Sequence, residues 1–437
     1  METMEQAQAW LDDHINLEAI LTGRREAPTL DRMAQLTGLM GDPQHAYPVI
    51  HLTGTNGKGS AARMATGLLV AQGLSVGTYT SPHLERINER VAWNLDPIPD
   101  PALVEVLSAL ADLEALMADK PTLFEVLAAA AFRWFADIAV DAGVIEVGMG
   151  GRWDATNVAD GQVAAVTNVS LDHAEILGPR LEDIATEKSG IVKPGSTLVL
   201  GETAPDLASI FRSAGAAEVW ERNVDFACEV NDLAVGGRVL DLRTPGARYE
   251  DVFLPLHGAH QGDNAAVALA AAEAFFGAPL DEEVVREAFG TVRNPGRMEI
   301  TGRQPLTILD GAHNPAGAAA AAATLASEFE AVASRILVVG MLRGRDPTEM
   351  LEALDVRRAR LVIACPPPSP RALPAEEVAA AAEALGVPAE TAPTAAAAVG
   401  RALWVAKPED LVFVVGSLYL AGAARSALLA HRPSPSP

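Results

Sequence analysis

The sequence predicts an α/β protein with parallel sheets, divided into two domains. Three observations predict this. Strand-like apolar runs ending in turn residues alternate with alanine-rich helical stretches along the chain, which is the pattern of strand–helix units on a parallel sheet. A chain of 437 residues exceeds one ordinary hydrophobic core, so a division is expected. The segment "AFGTVRNPGRMEITG" then combines a helix end, glycines and a proline, and a new strand–helix series follows it. The predicted boundary is therefore Arg293, giving domains 1–293 and 294–437.

In chain order, the expected strands of the first domain are "PVIHLTG", "AGVIEVG", "VAAVTNV" and "STLVLG". Those of the second are "LTILDG", "RILVVGML", "RLVIAC" and "LVFVVGS", which suit a Rossmann-like sheet of about four to six strands. "AARMATGLLVAQG", "NAAVALAAAEAFFG" and "PAGAAAAAATLASEFE" read as helices between them, the last with Asn314 as N-cap and Pro315 at the first helical position. "GARYEDVFLPLHGAHQG" breaks the rhythm and reads as a β-rich excursion. The tail "HRPSPSP" has no core-forming residues and is expected to be disordered.

Apolar residues at 49% and charged residues at 21% fit a soluble globular chain. A formal net charge of -24 argues against a broad nucleic-acid or membrane-binding surface, so a bound anion must meet a local positive site. Cys228 and Cys365 stand far apart with no metal-ligand spacing, and are expected to be small buried hydrophobes. The start "METMEQAQAW" lacks the regions of a signal peptide and no uninterrupted apolar run has spanning length, which makes the cytoplasm the expected location.

The chemistry begins at Gly54–Ser60, "GTNGKGS", where a strand enters a glycine-bracketed turn and then a helix. It departs from the common P-loop GxxxxGK[ST], because Gly59 stands where Ser or Thr is expected after Lys58. Backbone N–H groups of Thr55, Asn56, Gly57, Gly59 and Ser60, with Lys58, can still face polyphosphate oxygens at a helix N-terminus. Against this stands the plain reading of a tight turn with a solvated lysine. Three more stretches fall after strands: "TYTSPHL" with Ser81 and His83, "VIEVGMGGRWDATN" with Glu146, and "NVSLDHAEILG" with Asp172 and His173. Strand C-terminal ends converge in a parallel sheet, so a hydroxyl, a carboxylate and an imidazole can meet beside the phosphates and suit Mg²⁺, although histidine is an unusual ligand for it. Lys188 in "IATEKSGIVKPG" reads by itself as an exposed partner of nearby acids. Asp310 and His313 in "LTILDGAHNPAG" stand at the crevice end of the second sheet, with helix capping as their plain role.

Taken in order, "GTNGKGS", "TSPHL", "FEVLAAAAFRWF", "EVGMGGRWDATN", "LDHAEILG", "EKSGIVK", "HQGDNAAVAL", "NPGRMEI", "DGAHNPAG" and "VVGSLYLAGAAR" resemble the Mur ligase-like amide synthases. Within them the likeness is to the folate–glutamate ligases, folylpolyglutamate synthase and dihydrofolate synthase, and especially to actinobacterial bifunctional members. The resemblance covers nearly the whole chain. It implies the Mur ligase architecture, a P-loop ATPase-like domain followed by a Rossmann-like glutamate ligase domain, and a monomer.

The same resemblance implies ATP phosphates on Thr55, Asn56, Gly57 and Lys58, Mg²⁺ on Ser81, Glu146 and His173, and nucleotide contacts from Asn264, Arg297 and Asp310. It makes Lys188 a carbamylated lysine, against its plain reading, since a carbamate offers the oxygens that hard Mg²⁺ prefers. A pteroate pocket falls to Thr122, Phe124, Trp153, Asp154 and Ala155, with His313 and Ser417 near the incoming glutamate. One stretch departs: where the enterobacterial pterin loop reads approximately "IDLGLERV", this chain has "EAPTLDRM", in which only Asp31 and Arg32 fit. The implied substrates are ATP, L-glutamate and dihydropteroate or a folate, joined through an acyl phosphate. A monofunctional member is the near alternative, and a P-loop kinase or regulatory NTPase the alternative from another class.

Overall fold

The computed structural model describes residues 1–16 and 29–430. The first sheet contains β1 (Val49–Thr53), β2 (Val76–Tyr79), β3 (Val91–Trp93), β4 (Asp96–Pro97), β5 (Ala142–Glu146), β6 (Gly161–Val166), β7 (Thr197–Leu200) and β8 (Glu218–Glu221). Their spatial order is β4-β3-β2-β5-β1-β6-β7-β8, parallel from β2 to β8, with β3 and β4 added antiparallel at one edge. β1 is therefore central and buried on both faces, which explains its near-continuous apolar run. Ile50 and Leu52 face a core built with the helices Lys58–Ala71, His260–Phe276 and Glu282–Gly290, while Val49 joins the core beneath Asp100–Glu114 and Leu123–Asp137.

The expected β-rich excursion is larger than its sequence signal. Strands β9 (Ala227–Ala234), β10 (Gly237–Arg243) and β11 (Arg248–Leu254) form a three-stranded antiparallel sheet, and only β11 falls inside the stretch that broke the helical rhythm. β9 was hidden because only its first residue is buried, and Glu229, Asn231 and Asp232 interrupt any apolar run. β3 and β4, three and two residues long, were too short to stand out in the sequence.

The second sheet contains β12 (Glu299–Arg303), β13 (Leu306–Leu309), β14 (Arg335–Val339), β15 (Ala359–Ala364), β16 (Ala389–Thr391) and β17 (Leu411–Val415), in the order β12-β13-β17-β14-β15-β16. All neighbours are parallel except β12, which pairs antiparallel with β13. Helices cover both faces, Pro315–Glu328 and Ala375–Ala384 on one side, Ala395–Val405 and Leu418–Ala430 on the other. Gly290 ends the last helix of the first half and Glu299 starts the second sheet, so residues 291–298 carry the chain across. Arg63 Nε donates to the Arg293 carbonyl there at 3.0 Å, tying the crossing to the helix that follows β1.

Candidate active site

β1, β2, β5 and β6 deliver the site residues at their C-terminal ends. The turn after β1 enters the helix Lys58–Ala71 through Gly57, whose φ is 83°. A β-carbon on Gly57 would lie 2.2 Å from Asn264 Oδ1, so glycine is needed both for the backbone and for that close approach. Asn264, predicted as a nucleotide contact, is thus packed on the turn itself. Thr55 Oγ1 accepts from Ser170 N–H, and the Asn56 carbonyl accepts from Thr167 and Asn168, which fasten the turn to the end of β6. Lys58 Nζ donates to the Gly54 and Thr55 carbonyls at 3.1 and 3.4 Å. Ser60 turns elsewhere: its hydroxyl accepts from Asn294 Nδ2 at 2.7 Å, joining the turn to the crossing segment.

Glu146 ends β5 beside this turn, with its Oε2 3.4 Å from where a β-carbon on Gly59 would stand. The residue that departs from the common P-loop is therefore the one that faces this carboxylate at contact distance. Glu146 is buried, and among the described residues the hydrogen bond recorded to its carboxylate comes from Ser81 N–H at 3.3 Å. Burial pushes its pKa up to about 7, against the pull of Lys58, Ser81 N–H and Arg297. A buried carboxylate with so little compensation fits a hard cation. Among the described residues no three His, Cys, Asp or Glu side chains cluster as a metal site, so the shell of such a cation would need hydroxyl, phosphate and water oxygens beside Glu146 and any imidazole. His173 sits at φ 52°, and burial holds its pKa down at about 4 despite Asp172, so its ring is neutral at pH 7.

Lys188 overturns its reading as an exposed ion-pair partner. It is 4% exposed, and its Nζ donates to the Gly54 carbonyl at 2.8 Å, 134 residues away in sequence. Burial first, and then repulsion from Lys58, bring its pKa down to about 7.

The second sheet meets the turn at Asp172. Asn314 caps the helix Pro315–Glu328 through Gly317 N–H at 2.8 Å, while its Nδ2 donates to Asn56 Oδ1 and to Asp172 Oδ2, both at 3.0 Å. Arg345, on the loop after β14, pairs with Asp172 at 2.5 Å, and His313 Nε2 stands 3.8 Å away. Burial would raise the Asp172 carboxyl, but His173, Arg345, His313 and Asn314 outweigh it and hold it well below the usual range. Asp310 faces its own backbone, accepting from Met298 N–H and Ala312 N–H. Arg297, within the crossing segment, lies beside Gly311, and its charge reaches Glu146.

The residues expected around pteroate gather on a different rim. Thr122 caps the helix Leu123–Asp137 in a reciprocal box with Glu125, which Arg32 Nε also contacts at 3.2 Å. Phe124 packs on Gly148, where a β-carbon would lie 2.5 Å from the ring, and edge-on to Tyr79. Trp153 is 46% exposed, Ala155 is buried, and Asp154 caps the turn Ala155–Val158. Ser417 is 1% exposed with its hydroxyl accepting from Leu420 N–H, so it serves as a helix cap inside the fold. Of the departing stretch "EAPTLDRM", residues 26–28 lie outside the described residues, as does the tail 431–437; Asp31 opens the helix Asp31–Leu39.

Residues 52–272 match the family model of the Mur ligase middle domain, and residues 296–418 match that of the Mur ligase glutamate ligase domain. The chain belongs to the Mur ligase family. It is 42% identical over 381 residues to the dihydrofolate synthase/folylpolyglutamate synthase of Mycobacterium tuberculosis, spanning 81% of this chain and 77% of that one. The Mycobacterium tuberculosis folylpolyglutamate synthase complexed with ADP superposes with a TM-score of 0.92 at 38% identity, covering 98% of each chain. A bifunctional folylpolyglutamate synthase/dihydrofolate synthase with Mn, AMPPNP and L-glutamate bound gives a TM-score of 0.83 at 27% identity, again over 98% of each chain.

In this Mur ligase the sequence reading missed Arg345 and gave Asn314 only a capping role. Arg345 carried a usable signal, since it follows the strand run "RILVVGML" at the crevice end of the sheet. Asn314 did not, because one side chain serves as cap and cross-link at once, and only the packed structure shows the second role. Chemically, the arrangement sets a lysine, a glycine-rich turn at a helix N-terminus and an under-compensated carboxylate beside cationic and amide groups from the second half.

Proposed function

We propose that this Mur ligase couples ATP cleavage to amide formation between L-glutamate and a folate-type carboxylate, acting on dihydropteroate and on folates. The observation that carries this reading is the meeting of Lys58, Glu146 and Lys188 at the Gly54–Gly59 turn, directly against Asn314 of the glutamate ligase domain. A carboxylate is a poor electrophile, so its oxygen first attacks the γ-phosphorus of ATP, forming a C–O–P bond and releasing ADP. The glutamate nitrogen then attacks the acyl carbon, the C–O bond to phosphate breaks, and the ammonium proton passes to solvent or a nearby base. Lys58 and the turn's N–H groups neutralise charge on the transferring oxygens, and Arg297 adds positive charge from the other domain. Ser81, Glu146 and His173 would hold Mg²⁺, which supplies further charge neutralisation at phosphate oxygens when bound.

We read Lys188 as a carbamylation site. With its pKa brought to about 7, a large share of neutral amine is available, and its nitrogen can add to CO₂ and lose a proton to give an anionic carbamate. We place the domain division in residues 291–298. Free Cys228 and Cys365 suit a reducing compartment, and we propose the cytoplasm. Among the described residues no helix is long and apolar enough to cross a membrane.

Purified protein with ATP, labelled glutamate and either dihydropteroate or tetrahydrofolate tests the reading. Phosphate release that needs glutamate, with label entering both pteridine products, is expected. Product from only one of the two acceptors would make the enzyme monofunctional, and ATP turnover indifferent to glutamate would replace the ligase with a kinase or NTPase.

A further inference from the structure

His51 stands in the middle of β1, 0% exposed, in a strand whose other residues are apolar or a hydroxyl at its end. A polar ring enclosed this fully needs a partner to remain in the fold. Its Nε2 lies 2.8 Å from Thr156 Oγ1, which lies 2.5 Å from Asp154 Oδ1. Asp154 Oδ1 also accepts from Thr156 N–H at 3.0 Å, and its Oδ2 from Met149 N–H at 3.0 Å.

The direction of this chain follows from donor counting. Burial pulls the Asp154 carboxyl upward, but both its oxygens accept backbone N–H bonds, Thr156 at Oδ1 and Met149 at Oδ2, which favour the ionised form, and an ionised carboxylate can only accept. Thr156 has one hydroxyl proton, so that proton points to Asp154. The oxygen lone pair left on Thr156 then faces His51, and His51 Nε2 must carry the hydrogen. Its Nδ1 is the bare nitrogen, with no partner among the described residues, which makes it an unfilled acceptor rather than an isolated donor. Burial, with Lys193 adding to it, drives the His51 pKa down to about 3, so the ring stays neutral.

We propose that His51 is a positioning residue for the pteridine-bearing substrate: as the Nε2–H tautomer it fixes Thr156, and through Thr156 and Asp154 it sets the loop Gly148–Val158. One carboxylate thereby gathers both ends of that loop, Met149 on one side and Thr156 on the other. Between them the loop holds out Trp153, and its start is clamped by Phe124 on Gly148. Asp154 itself acts in shaping the loop, since its oxygens are occupied by the loop's own donors. β1 thus organises two substrates at once: its end leads into the phosphate turn, and its central side chain supports the pteridine rim.

This inference rests on the proposed folate-ligase reading, and its test is built to fail separately. KM values for ATP and for the pteridine acceptor are measured at saturating glutamate in wild type, His51→Leu, His51→Gln and Thr156→Val. His51→Leu and Thr156→Val are each expected to raise the acceptor KM about tenfold, the loss of one buried hydrogen bond, with ATP KM changed less than about twofold. The double variant should be no worse than either single one, because both remove the same link. His51→Gln retains an N–H that can reach Thr156 and should recover most of the loss. A matching rise in ATP KM, or a glutamine variant no better than leucine, overturns the proposal. Where His51→Leu does not fold, Thr156→Val removes the same bond from the other side.

Two readouts need no turnover. Imidazole ¹⁵N shifts of wild type should report Nε2–H at His51, and an Nδ1–H tautomer overturns the proposal. Hydrogen exchange over residues 148–158 should accelerate in Thr156→Val and His51→Leu and return toward wild type in His51→Gln; unchanged exchange also overturns it. If wild type shows no glutamate-dependent turnover while both of these hold, the ligase reading falls and the link from His51 to the loop stands.

Discussion

Lys188 and Lys58 have the same side chain and opposite surroundings, and the difference sets what each can do. Lys188 is enclosed, bonded to the Gly54 carbonyl, and shifted toward neutrality by burial and by Lys58. Lys58 is partly open and bonds the carbonyls of its own turn. Lys58→Ala should therefore leave thermal unfolding close to wild type while kcat falls on the order of a hundredfold or more, because the charge it meets develops in the transition state. Near-normal turnover would remove it from phosphate binding. Lys188→Ala should also lose activity, and intact-mass measurement of wild type in high bicarbonate should show the carbamate adduct; full activity in Lys188→Ala would end that assignment. At this scale the sequence revealed residues whose position follows from strand ends: Ser81 after β2, Glu146 at the end of β5, and Lys58 after β1. It could not show that Lys188 is buried, because that depends on a helix docking against a turn 134 residues away.

The helix Pro315–Glu328 joins the two halves at both of its ends. Its 14 residues span about 21 Å, with Asn314 at the site and Glu328 at the far terminus. Glu328 is 1% exposed on its side chain and accepts from Arg238 Nη1 at 2.5 Å, His257 Nδ1 at 2.8 Å and Gly258 N–H at 2.9 Å, all from the first half. Burial alone would raise the Glu328 carboxyl, but the His257 hydrogen bond, the Gly258 N–H, and the charges of His257 and Arg238 hold it below the usual range. A depressed carboxyl stabilises the fold fully above its unfolded-state pKa and loses that contribution as pH falls through the folded-state pKa. Glu328→Gln should thus be less stable than wild type at neutral pH, by about 3 kcal/mol because Arg238 is left buried without its counter-charge. Chemical denaturation from neutral to acidic pH should show the gap between variant and wild type narrowing as the wild-type carboxylate protonates; a constant gap would assign the loss to packing. Both the helix and its N-cap were readable from "NPAGAAAAAATLAS", as were the strands buried on both faces. Its cross-links were not, since Arg238 sits on β10, the middle strand of the small sheet, where charged residues alternate with apolar ones, and nothing local marks its partner.

On the proposed reading the ligase site needs both halves of the molecule, and one contact between them tests this with little chemical change. The loop after β2 carries Ser81 and then lays Leu84 against the last helix of the second half. A β-carbon on Gly422 would lie 1.8 Å from the Leu84 carbonyl oxygen, and Gly296 meets the same side chain, with a β-carbon there 2.9 Å from Leu84 Cδ1. Around this close approach, Arg425 bridges Glu85 and Glu299, and Ser426 donates to Glu85. Glycine at 422 is thus a matter of distance between halves rather than of backbone conformation. Gly422→Ala keeps a helix-compatible residue but cannot keep this spacing, because the atom it meets is backbone. The helix or the Ser81 loop must move. Displacement of about 1 Å between Ser81 and Lys58 on one side and Arg297 and Asp310 on the other can cost on the order of a hundredfold in turnover. Gly400→Ala supplies the control: it too is helical, a β-carbon there meets nothing within 4 Å, and it should stabilise by about 0.5–1 kcal/mol without touching turnover. Gly422→Ala should instead show normal secondary structure, a larger radius of gyration in solution scattering with ATP and acceptor present, and strongly reduced glutamate-dependent turnover. Wild-type scattering together with wild-type turnover in Gly422→Ala would mean that catalysis does not require this contact between the halves.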